Sequence, residues 1–137
     1  MKTSLLSILK DEYDYKFQNS KGITYAQKIQ KNEYKISWDK SAHDINCQVR
    51  AFSPKPGAWT CFKNSESRIK ILKADVISDQ DITGPGNYEI GEITKDFKVK
   101  CAQGFLKIEI IQKEGKKPTS VKDFLNGNKI IDFFFIK

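Results

Sequence analysis

Apolar residues recur at helical spacing in one stretch of the chain. Trp38, Ala42, Ile45, Val49 and Phe52 follow one another at steps of four, three, four and three. That spacing lays a single stripe along one face of a helix. It predicts a helix from about Asp39 to Phe52, with Lys40, His43, Asp44 and Arg50 off the stripe. Ser37 or Asp39 is the candidate cap, because either side chain accepts from a free backbone N–H. Pro54 ends the helix, since the residue before a proline is driven out of helical geometry. Ser53-Pro54-Lys55-Pro56-Gly57 then reads as a rigid turn. Trp38 and Phe52 fall at core positions. Trp59, just past the turn, is left open between core and surface.

Beyond the turn the period changes to two. Trp59 to Phe62 begins it, and a turn follows at Asn64-Ser65. Arg68 to Ile77 reads as a strand, with Ile69 and Ile71 on one face and Arg68 and Lys70 on the other. Gly84-Pro85-Gly86 is a turn signal, and Tyr88-Glu89-Ile90 reads as the start of a further strand. Phe97, Val99 and Cys101 alternate with Lys98 and Lys100. After Ala102-Gln103-Gly104, Leu106, Ile108 and Ile110 alternate with Lys107 and Glu109, so the two runs predict a hairpin. Gly115 to Pro118 is a loop. Val121 to Leu125 is a short helix, with Ser120 as cap and Gly127 as stop. Upstream, Lys2 to Lys10 is a short helix, Asp11 to Gly22 a linker, and Ile23 to Ile29 a strand or extended arm. Short strands set off by turns, plus one good helix, predict a mainly β small barrel or sandwich.

The length of 137 residues suits one domain with a modest core. No apolar run is long enough to cross a bilayer. The Met1 to Leu6 stretch lacks a secretory cleavage site, so a cytoplasmic location is expected. Cys47, Cys61 and Cys101 are odd in number and not closely paired, which gives no disulfide framework. His43 and Cys47 stand four apart, too few ligands for a metal, and none is expected.

The net charge of +7 is unevenly spread. Residues 1–20 are balanced, so the excess lies in residues 21–137. Within that span, residues 75–94 carry Asp75, Asp79, Asp81, Glu89 and Glu92 and no Lys or Arg. A basic surface with one acidic flank suits an oriented polyanion. A lysine-rich solvated surface is the plainer explanation of the same counts. Three groups could meet phosphate: Lys28, Lys31 and Lys35; Arg68 and Lys70 with Lys98 and Lys100; and Lys113, Lys116 and Lys117. Alternation places Lys98 and Lys100 on one strand face. Catalytic patterns are missing: one histidine, no glycine-rich phosphate loop between strand and helix, and no recognisable carboxylate pair.

Four blocks in order carry a resemblance: YAQKI; ISWDKSAHDINCQVRAFSPKPGAW; GPG at Gly84 to Gly86; and EGKKPTSVKDFLNG. From about Ile23 to Gly127 the chain resembles the formyltransferase C-terminal domain family, as found in methionyl-tRNA formyltransferase. The resemblance implies an open Greek-key barrel similar to an OB-fold, with residues 23–137 as that domain. Residues 1–22 would be a linker with a remnant of a preceding domain's last helix. It implies initiator methionyl-tRNA and an N-terminal catalytic domain as partners. Lys98, Lys100, Lys116, Lys117, Arg68, Lys70 and Lys113 would be the RNA contacts. The family's catalytic Asn, His and Asp, and its site for 10-formyltetrahydrofolate, belong to the N-terminal domain. Nothing in this chain matches them, so residues 1–137 alone are expected to carry no cofactor and transfer no formyl group.

Two other readings stand beside it. One is the equivalent structural domain of a formyltransferase acting on a nucleotide sugar or in folate metabolism, which needs no basic face. The other is a free-standing OB-like binder of single strands, which needs exposed aromatics on a strand face. The tail Ile130 to Lys137, IIDFFFIK, departs from the family pattern and reads as a last strand or an exposed apolar segment.

Overall fold

The computed structural model describes residues 16–17, 19–63, 65–82 and 86–128. The expected helix at Lys2 to Lys10, the first two residues of the Gly84 turn and the IIDFFFIK tail lie outside them. The fold is mainly β: an antiparallel sheet curled into an open half-barrel of the OB-like kind, with two helices. Its strands are β1 (Ala58–Cys61), β2 (Arg68–Ile77), β3 (Lys98–Lys100), β4 (Phe105–Lys113) and β5 (Thr119–Ser120). The order is β1-β2-β4-β3, and β5 pairs with the far end of β4.

Alternation decides the faces of β2 and β4 except at the register slip beside Lys73, where the inward step lengthens to three and Ile111, not the expected Ile110, is buried. Ile69, Ile71, Ala74, Leu106, Ile108 and Ile111 point into the core, with Ala58 and Thr60 from β1. The β2–β4 register slips on both sides of Lys73. Such bulges bend a strand pair and increase its twist, which curls a sheet. Leu72 lies at the slip, and its carbonyl accepts from the Ser53 hydroxyl at 2.8 Å.

Helix α1 (Ala42–Phe52) closes the barrel on this inner face with Ala42, Ile45 and Val49. It starts three residues later than the apolar stripe suggests. Ser41, rather than Ser37 or Asp39, caps it, accepting from the Asp44 N–H at 3.1 Å. Residues 37–40 are instead held by the β3–β4 hairpin turn: Ala102 N–H donates to the carbonyls of Trp38 and Lys40, both at 3.1 Å. Trp38 thus joins the core from outside the helix, fully buried, its indole N–H donating to Thr60 Oγ1 at 3.2 Å. At the other end Ser53 N–H donates to Val49 O before Pro54, and Gly57 N–H closes the turn onto Phe52 O. Gly57 has φ +86°, which a side chain disfavours.

The hairpin of β3 and β4 forms as alternation predicts, Lys98 facing Lys107 and Lys100 facing Phe105. Tyr88 to Ile90 is not a strand. The chain turns there, and Gly91 and Glu92 bond the backbone of Lys100. Residues 23–29, read as a strand or arm, carry no regular structure, and the chain stays exposed up to the 3₁₀ turn Lys31–Tyr34. Helix α2 (Val121–Gly127) is capped by Ser120, as expected. Gly127 is its last residue rather than its stop; Asn128 Nδ2 donates to Phe124 O at 2.8 Å there. Phe124 packs against Phe62 and Phe97 to complete the core.

Candidate nucleic-acid interface

The seven expected RNA-binding residues do not form one surface. Arg68 and Lys70 begin β2, beside Trp59 of β1 and Gln112 of β4. Lys98 and Lys100 pair instead with the opposite end of β4, at Lys107 and Phe105. The five residue steps along β4 from Lys107 to Gln112 put on the order of 15 Å between the two pairs. The expected grouping of Arg68 and Lys70 with Lys98 and Lys100 therefore divides between two separate places on the sheet. Alternation shows which face a residue takes, but register decides where along the sheet it falls.

Lys98 and Lys100 are also engaged. The Lys100 ammonium sits 3.3 Å from Asp79 Oδ1 and 4.6 Å from the centre of the Phe105 ring. Lys98 donates to Asp81 O at 3.3 Å and lies 3.9 Å from Asp96. Their side chains are only 16% and 22% exposed, so both serve chiefly to bind the acidic segment to the sheet. The acidic flank is thus folded against two of the cations it was expected to stand apart from. Lys113 lines the groove described next, but its ammonium is engaged elsewhere, over the Phe124 ring at 4.8 Å and donating to Asn128 Oδ1 at 3.2 Å. Lys73, mid-strand, is ion-paired with Glu109. That bond raises the lysine's pKa and lowers the carboxylate's.

What remains is a groove of about 570 Å³ on the outer sheet face, at the β1–β2–β4 end. Trp59, Lys70 and Gln112 stand in one row across three strands, since Trp59 pairs with Lys70 and Lys70 with Gln112. Arg68, diagonal to Trp59, lays its guanidinium over the indole, 4.6 Å from the ring centre. Lys31 and Tyr34 of the 3₁₀ turn make one wall, and Glu114 and Gly115 of the β4–β5 loop make the other. The same loop carries Lys116 and Lys117, both exposed. It is tied down by Gln112 Nε2 donating to Lys116 O at 2.8 Å. Neither Arg68 nor Lys70 makes an ion pair among the described residues. Of the first basic group, Lys31 reaches the groove. Its partners Lys28 and Lys35 are exposed but do not line it.

The wall carrying Lys31 is fixed from α1: Gln48 Nε2 donates to the carbonyls of Glu33 and Lys35 at 2.7 and 3.1 Å. Trp59, undecided from sequence, is half-buried with its ring in the groove. Sequence reasoning missed Tyr34, Gln112 and Glu114, whose role appears only once β4 lies beside β2.

Among the described residues no three His, Cys, Asp or Glu side chains gather as metal ligands. Cys47 is exposed, 3.9 Å from His43 Nδ1, while burial pushes the Cys101 thiol up to about 12. No helix among them is long and apolar enough to cross a membrane.

Residues 28–129 match the family model described as formyl transferase, C-terminal domain. The methionyl-tRNA formyltransferase of Rickettsia bellii (strain RML369-C) is 38% identical over 112 residues, covering 82% of this chain and 35% of the relative. That of Rickettsia prowazekii (strain Madrid E) is 36% identical over 120 residues, covering 88% and 38%. The chain thus spans little more than a third of the length of these relatives.

Proposed function

The chain belongs to the formyl transferase C-terminal domain family, and from that premise we propose that it binds methionyl-tRNA and holds it for N-formylation by a formyltransferase catalytic domain. The relatives' activity supplies the substrate: an RNA whose amino-acid end must reach a distant centre. Phosphate contacts suit that task, because they set orientation and carry no base identity of their own.

The observation that carries the reading is the groove, where Arg68, Lys70 and Lys31 converge and neither Arg68 nor Lys70 is ion-paired with a carboxylate among the described residues. Lys116 and Lys117 extend the positive surface along the adjoining loop. Lys98 and Lys100 contribute to the fold, and Lys113 to the packing of α2. A domain that only covered another enzyme would have no use for an unneutralised basic groove.

Titrating methionyl-tRNA into the 137-residue chain over a range of salt tests this. Binding at low salt should fall linearly with the logarithm of salt concentration, as phosphate neutralisation releases counterions. No binding at low salt would refute the assignment.

A further inference from the structure

We propose that the groove is a subsite for one unpaired nucleotide. Its base stacks on the Arg68–Trp59 pair and its phosphate sits on Lys70 and Lys31. This rests on the RNA-binding reading above and specifies what the groove takes.

Three features separate a nucleotide subsite from a plain phosphate surface. The first is the stacked pair. An indole under a guanidinium at 4.6 Å fixes a flat, positively charged plane facing outward. Unpaired bases stack on such planes, whereas a duplex hides its base faces and offers only backbone and edges. The second is spacing. Trp59, Lys70 and Gln112 occupy adjacent strands in one row, each step about 5 Å. That row sets an aromatic plane, an ammonium and an amide at the separations of a base, a phosphate and a neighbouring polar edge. The third is size. A space of about 570 Å³ falls in the range of small-ligand cavities, and it is too small for a double helix.

The remaining walls give the ligand a direction. Lys31 lies just before the Lys35–Trp59 bridge at β1, whereas Glu114 follows β4 two strands across, so its carboxylate disfavours phosphate on that side and leaves it between Lys31 and Lys70. Gln112 spends its amide N–H on Lys116 O, which orients its carbonyl oxygen as an acceptor for a base amino group. Tyr34 is braced edge-on by Phe52 at 4.9 Å, so its wall is rigid.

Tryptophan fluorescence tests the proposal directly. The chain has two tryptophans; Trp38 is fully buried and Trp59 lines the groove, so quenching by an RNA reports Trp59. The probes are a single-stranded RNA tetranucleotide, a blunt RNA duplex and inorganic tripolyphosphate. The tetranucleotide should quench, and the other two should not. Trp59→Leu and Arg68→Lys, followed by the anisotropy of end-labelled RNAs because Trp59→Leu removes the reporting indole, should each weaken the tetranucleotide about tenfold and leave the duplex unchanged. Arg68→Lys keeps the charge and removes only the plane, so it decides the matter if Trp59→Leu melts early. Equal losses for tetranucleotide and duplex, or tripolyphosphate competing as well as the tetranucleotide, would overturn the subsite. Tetranucleotide quenching with no tRNA binding at low salt would support the subsite and remove the tRNA reading. Salt-dependent tRNA binding with no tetranucleotide quenching would remove the subsite alone.

Discussion

The indole N–H of Trp38 donates to the Thr60 hydroxyl at 3.2 Å, and both residues are fully buried. This bond joins the segment before α1 to the inner face of β1. It lets the largest core side chain sit where only apolar atoms would otherwise fit, since a buried indole N–H requires an acceptor. Thr60→Val, which removes that acceptor, should cost about 1 kcal/mol. Trp38→Ala should cost more, about 3–5 kcal/mol, through the cavity it leaves. Phe52→Ala should fall below Trp38→Ala, because Phe52 is only half-buried. Denaturant unfolding of the three variants gives the ranking, and a Phe52→Ala loss as large as that of Trp38→Ala would contradict it.

Gly57 governs both the turn and the groove. At φ +86° a Cβ would stand 2.9 Å from Lys70 Cδ. Gly57→Ala should therefore destabilise the chain by about 1–2 kcal/mol through its left-handed backbone. It should also displace the Lys70 side chain and weaken RNA binding more than stability alone explains. Unchanged affinity in a folded Gly57→Ala protein would separate Lys70 from the RNA.

The three thiols should differ in reactivity. Cys47 is exposed, Cys61 half-buried and Cys101 buried, with the Cys101 pKa pushed up to about 12 chiefly by loss of water. The thiolate is the reactive form. A disulfide reagent near neutral pH should modify Cys47 first and Cys101 only on unfolding. The pH dependence has a definite sign. Unfolded Cys101 releases its proton near its ordinary value while the folded thiol keeps it, so the fold loses stability as pH rises from about 9 towards 12. Cys101→Ala should flatten that part of the stability curve relative to the parent chain. An identical alkaline slope in both would show that Cys101 titrates alike folded and unfolded.

Much of the fold was legible because its elements are written in local periods. The β2 bounds, the β3–β4 hairpin and the Ser120 cap follow from alternation and turn chemistry alone. The start of α1 was not, because the apolar stripe runs through Trp38 while a tertiary bond from Ala102 holds Trp38 and Lys40 outside the helix. The site was half legible. Arg68 and Lys70 announce themselves as an outward pair on β2. Lys98 and Lys100 have the same pattern, but β3 pairs with the other end of β4, beside Asp79 and Asp81. Trp59 joins the groove through the β1–β2 register, which no local period reveals.

The most direct measurement compares methionyl-tRNA binding against salt for Arg68→Ala/Lys70→Ala and for Lys98→Ala/Lys100→Ala. The first pair should bind all tRNAs more weakly and lower the salt slope by roughly one for each phosphate that is no longer neutralised. The second should lower stability, as its bonds to Asp79 and Asp81 go, while the folded protein keeps the parent slope. An unchanged slope for Arg68→Ala/Lys70→Ala, or an equal fall in both variants, would contradict the assignment of the groove as the RNA interface.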